Sequence, residues 1–209
     1  MNKDKNDDWI YFSQSYLQIA KLACQELIGP KHNKRDNDNT FWEYHIEDLI
    51  IPIIYNTKHG IEIFIKTISL IIDNKYDEGH DIHKLFYGLK QKIKKLDLKP
   101  RAIGGDKITK EMINNFPKHI DETEQLVKEF YGVLLLKPGI KDDFVVYDVK
   151  NDIFRYPENK TLVQINWGKV LPRFNIDEVK KLKAGIEKLY DLLNDVGYFV
   201  TILLKSNGK

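Results

Sequence analysis

The sequence predicts a mainly α-helical protein: an up-and-down bundle carrying a small irregular or β insertion around 133–167. Three observations predict it. Apolar residues recur at spacings of three and four over long stretches, as one face of a helix requires. Gly, Pro and Asn/Asp clusters punctuate those stretches. Strand-like runs are confined to one region. The 209 residues are 42% hydrophobic, enough to bury one sizeable core. They read as a single domain, 1–209, with a core bundle of 8–97, 107–131 and 175–205.

Trp9, Phe12, Tyr16, Ile19, Ala20, Ala23 and Leu27 form the first helical stripe, which Gly29-Pro30 stops. Residues 31–40 hold nothing apolar and are expected to form an exposed connection. From Phe41 to Asp73 the chain is dense in large apolar groups, Ile53, Ile54, Ile61, Phe64, Ile65 and Ile68 among them, and this is the expected central helix. Pro52 either stands in its first turn or kinks it, because proline has no amide hydrogen to donate. After the turn Asp73–Gly79, a third helix places Ile82, Leu85, Phe86, Leu89, Ile93 and Leu96 on one face, with His80 or Asp81 as its N-cap.

Leu98 to Asp106, with Pro100 and Gly104-Gly105, reads as a linker. A short helix over Ile108–Phe116 and a better one over Ile120–Tyr131 follow. Phe144-Val145-Val146-Tyr147 and Leu162-Val163-Gln164-Ile165 are the strand-like runs of the insertion. A last long stripe runs from Ile176 through Ile186 and Leu193 to Leu203, weakened at Gly197.

Charge is balanced, 33 Lys+Arg against 31 Asp+Glu, so any basic patch must be local. The one cysteine, Cys24, excludes an internal disulfide framework and suits a reducing compartment. Its place among Leu22, Ala23 and Leu27 marks it as a small core residue rather than a nucleophile. With no membrane-spanning run and no signal-peptide pattern, a soluble cytoplasmic protein is expected.

The segment Ile50-Ile51-Pro52-Ile53-Ile54-Tyr55-Asn56-Thr57-Lys58-His59-Gly60-Ile61-Glu62-Ile63-Phe64-Ile65-Lys66 is similar to the central helix of HEPN-like helical-bundle proteins. Those proteins show a Pro, a few apolar residues, a basic residue beside His, then Ile/Leu-Glu and a Lys four residues on. Gly79-His80-Asp81-Ile82-His83-Lys84-Leu85 resembles the His-Asp-Leu-x-x-Leu opening of their next helix, and Phe154-Arg155-Tyr156-Pro157 resembles the Phe-Arg-Tyr-Pro element of one subgroup. The three stand in the family's order between Trp9 and Pro157. The resemblance implies a helical bundle, often dimeric, belonging to a toxin–antitoxin or antiviral defence system and binding or cutting RNA. The family's ribonuclease signature, an Arg separated from a His by four to six intervening residues, is missing: Arg35, Arg101, Arg155 and Arg173 have no His at that distance. The expectation is therefore a component that binds RNA or a protein partner, or pairs as a homodimer, with no cofactor and without the usual catalytic pair.

Glu62 and Lys66, an i, i+4 pair within an apolar stripe, need partners because an unpaired buried charge is costly. They are expected to gather His80, Asp81 and Arg155 into one polar cluster. His59 and His80 are the candidate catalytic residues. An alternative reading takes His59, His80 and Asp81 as metal ligands of a phosphohydrolase. Glu43, His45, Glu47 and Asp48 fall on different sides of a helix and read as a solvated helix start. Between Lys84 and Lys110, nine basic residues stand against two acidic ones. Lys84, Lys92, Lys94, Lys95 and Arg101 are the candidate phosphate contacts, with Phe86 or Tyr87 to stack on an unpaired base.

Overall fold

The computed structural model describes residues 3–29, 46–75, 77–103, 106–132 and 175–205. These form α1 (Lys3–Ile28), α2 (Ile46–Asp73), α3 (Ile82–Ile93), β1 (Arg101–Ile103), β2 (Asp106–Ile108), α4 (Lys110–Gly132) and α5 (Ile176–Lys205). The expected mainly α bundle is what these residues build. The insertion at 133–167, the connection 31–40 and the Phe-Arg-Tyr-Pro element lie outside them.

Local sequence explains the boundaries. α1 stops where Gly29 donates back to the Glu26 carbonyl at 3.1 Å. Asp81, not His80, caps α3: its carboxylate accepts from the Lys84 amide at 3.0 Å. Thr109 caps α4 by accepting from the Met112 amide, and Asn175 caps α5 by accepting from the amides of Asp177 and Glu178. α2 runs through Pro52 rather than starting there, and the Pro52 carbonyl accepts from Asn56 at 2.7 Å.

Three expectations are corrected. The two helices foreseen over 108–131 are one, because Pro117 lies inside α4 with an exposed side chain and ends nothing. The linker at 98–106 holds a strand: β1 pairs antiparallel with β2, Ala102 opposite Lys107. The α1 stripe is turned. Leu17, Ala20, Cys24 and Leu27 are its buried line, while Trp9, Phe12 and Ile19 are exposed. Apolar residues cover more than half of this helix's circumference, so periodicity alone could not choose the inner face.

The core gathers α2 residues Ile61, Phe64, Ile65 and Ile68 with Leu85 and Leu89 of α3 and Ile186, Val196 and Val200 of α5. Two glycines set the closest approaches. A Cβ at Gly60 would stand 3.0 Å from the Ser13 carbonyl oxygen on α1, and one at Gly197 would stand 3.3 Å from the Phe64 ring. α4 and α5 are antiparallel: Phe116 stacks on Phe199, His119 faces Asp195, and Glu122 meets Lys188.

The connection from α2 to α3 is not an up-and-down turn. α2 rises about 16 Å from Glu62 to Asp73 at 1.5 Å per residue. His80, just ahead of α3, touches Glu62, and Lys92, near the end of α3, touches Asp73. The two helices therefore run in the same sense, and the segment between them returns along α2.

Candidate functional site

Two polar features stand on α2 and α3, one rooted in the buried face of α2 and one facing water. The first is built on α2 by i, i+4 spacing. Lys58, Glu62 and Lys66 lie on successive turns of one face, and all three are buried, Lys58 to 1% exposure and Glu62 to 3%. Lys66 Nζ donates to Glu62 Oε1 at 2.9 Å, and His80 Nδ1 lies 2.8 Å from the same oxygen. Burial alone would raise the Glu62 carboxyl, but the hydrogen bonds from Lys66 and His80 outweigh it and hold it below the ordinary range. Glu62 is thus a fixed anion tying the α2–α3 connection to α2, not a proton donor.

A second tie closes the far end. Lys92 Nζ bonds both carboxylate oxygens of Asp77, at 2.8 and 2.9 Å, and lies 3.1 Å from Asp73. Burial raises the Asp77 carboxyl, yet the Lys92 bond prevails and lowers it. Lys90, on another side of α3, is held by Asp121 and Glu124 of α4. Hydrogen bonds from Lys90 and Lys128 push Glu124 down to about 2.

Among the expected cluster residues, Glu62, Lys66 and His80 are brought together. Asp81 sits beside them in sequence but spends its carboxylate on the α3 cap. Arg155 lies outside the described residues. His59 is enclosed by rings, edge-on to Tyr16 at 4.7 Å and stacked on Tyr55 at 5.5 Å. Among the described residues no three His, Cys, Asp or Glu side chains are grouped so as to hold a metal ion. Cys24 is buried, and burial pushes its thiol up to about 12, which removes the nucleophilic thiolate.

The water-facing feature is the outer side of α3. Lys84, Tyr87 and Gln91 follow at three and four residues, and Lys94, the C-cap, comes three further on. Lys84, Lys94 and Lys95 are exposed, and among the described residues the acidic contact of Lys84 is its own turn's Asp81 at 3.6 Å. Tyr87 is 60% exposed, whereas Phe86 belongs to the core at 2%. Arg101 opens β1 beyond them. The basic stretch thus divides by helical phase. Lys90 and Lys92 are half-buried and ion-paired, and Lys92 leaves the set of expected phosphate contacts because two carboxylates already hold it. The carboxylates that hold Lys92 are fifteen and nineteen residues away, so its pairing is not announced by the residues beside it.

No family model, curated protein or solved structure matches this chain. No helix among the described residues is long and apolar enough to cross a membrane.

Proposed function

We propose that the chain is a non-catalytic, RNA-associated helical module of a defence or toxin–antitoxin system, which holds phosphates on the outer side of α3. The observation that carries the reading is the separation of the lysines. Two, Lys90 and Lys92, are half-buried and paired with carboxylates, while Lys84, Lys94 and Lys95 are exposed along one helix side. The order of the three HEPN-like motifs supports the system to which it is assigned, and the missing Arg/His pair supports binding without cleavage. Phosphate neutralisation releases counterions, so three engaged lysines give a log–log salt slope of about −2 on a single strand. The test is RNA affinity of the wild type and of Lys84→Glu/Lys94→Glu/Lys95→Glu at two salt concentrations. The proposal expects the variant to fold and to lose both affinity and salt dependence. Equal, salt-insensitive binding by the two proteins rejects it.

A second reading, docking of a protein partner or of another copy of the chain, is favoured by α1. Trp9, Tyr11, Phe12, Ile19 and Leu22 are between 49% and 69% exposed. They leave roughly 500 Å² of apolar surface in water, the size at which patches on monomers are often functional. Light scattering on the wild type and on Phe12→Glu/Ile19→Glu separates the cases: a larger assembly that the double variant dissolves supports self-association.

A further inference from the structure

We infer that the outer side of α3 takes unpaired RNA, with Tyr87 as the platform on which a base stacks. The inference rests on the RNA reading above and adds the class of strand. Large apolar side chains on α3 are otherwise turned inward: Ile82, Leu85, Phe86, Leu89 and Ile93 are all buried. Tyr87 is the exception at 60% exposure, and its helix side also carries the exposed Lys84 and Lys94. Lys84 stands one turn before it, and Lys94 and Lys95 stand about two turns after it. A single exposed ring on a helix side that also carries exposed lysines offers little continuous area to an apolar protein surface. It offers a π-face and neutralising charge together, which is what a nucleotide presents in complement.

Geometry sets the length and kind of strand. From Lys84 to Lys95 the helix and its cap span about 16 Å. At 3.4 Å per stacked nucleotide along one strand, this matches four or five nucleotides, the lower end of single-strand site sizes. In a duplex the base faces are closed by their neighbours, so Tyr87 finds a partner only where bases are unpaired. The lysine ammonium is a compact point charge without the planar fork that reads base edges, so binding is tolerant of sequence.

The test measures binding of an RNA of about sixteen nucleotides, alone and annealed to its complement, to the wild type, Tyr87→Ala, Tyr87→Phe and Lys84→Glu/Lys94→Glu/Lys95→Glu. Stacking predicts that Tyr87→Ala weakens single-strand binding about five- to a hundredfold with an unchanged salt slope, while Tyr87→Phe keeps it. Duplex binding is the same for all three forms at position 87. If the lysine variant loses binding but Tyr87→Ala does not, or if duplex and single strand bind equally, the stacking inference is overturned and the phosphate reading stands. If the lysine variant binds as the wild type does, or the wild type binds neither RNA, both fall.

Discussion

The inner and outer sides of α3 are made from the same residue type and do opposite things. On the inner side Lys92 closes a tie to Asp73 and Asp77, and one helix end away the buried Glu62–Lys66 pair holds the exposed His80. On the outer side Lys84, Lys94 and Lys95 face water around an exposed Tyr87. The difference teaches that a lysine's role here is set by its angle about the helix axis and by carboxylates far away in sequence. The inner lysines hold the returning α2–α3 connection in place, and that connection fixes where the outer ones point.

The contrast is broken most sharply at Glu62. Glu62→Ala removes the carboxylate that Lys66 bonds within the buried face of α2, which costs about 3–5 kcal/mol. Denaturant unfolding measures this, and a loss under about 1 kcal/mol would mean that the Glu62 cluster is not what holds the connection. Lys92→Ala removes charge-assisted hydrogen bonds at a half-enclosed site and is expected to cost about 1–2 kcal/mol, read the same way.

Acid gives a more gradual effect. Glu62, Asp77 and Glu124 all titrate below their ordinary values in the folded chain. Groups depressed in this way add stability above their unfolded pKa and lose it as the pH falls through the folded value. For Glu124 the window runs from the ordinary 4.5 down to about 2. The melting temperature should therefore fall progressively between those limits, and a constant value there would contradict the ion-pair geometry. The smallest change in stability is expected for Lys84→Glu/Lys94→Glu/Lys95→Glu, where each exposed substitution stays within about 0.5 kcal/mol.

Much of this fold is legible in the sequence because apolar periodicity reports burial directly. The α3 face of Ile82, Leu85, Phe86, Leu89 and Ile93 is read from spacing alone, and so are the α2 isoleucines and the long α5 stripe. The inner side of α1 is not, because Phe12 and Ile19 satisfy the same spacing as Leu17 and Ala20. The direction of α3 is not legible either: a short polar connection permits a return along α2 as readily as a reversal, and long-range pairs decide between them. In the candidate site, Glu62 and Lys66 announce themselves as charges within an apolar run. Lys92 does not, because it stands in a run with Lys90, Lys94 and Lys95 and the carboxylates that hold it are fifteen and nineteen residues away.

The central claim, that helical phase divides the lysines of α3 into structural and binding groups, is tested most directly by a crossed comparison. Thermal melting and single-stranded RNA affinity are measured for Lys92→Ala and for Lys94→Ala/Lys95→Ala, each below its melting point. The account predicts that Lys92→Ala lowers the melting temperature while the folded protein binds RNA nearly as the wild type does, and that the double variant melts as the wild type does but binds less tightly. A Lys92→Ala protein of unchanged stability and weakened RNA binding would contradict it.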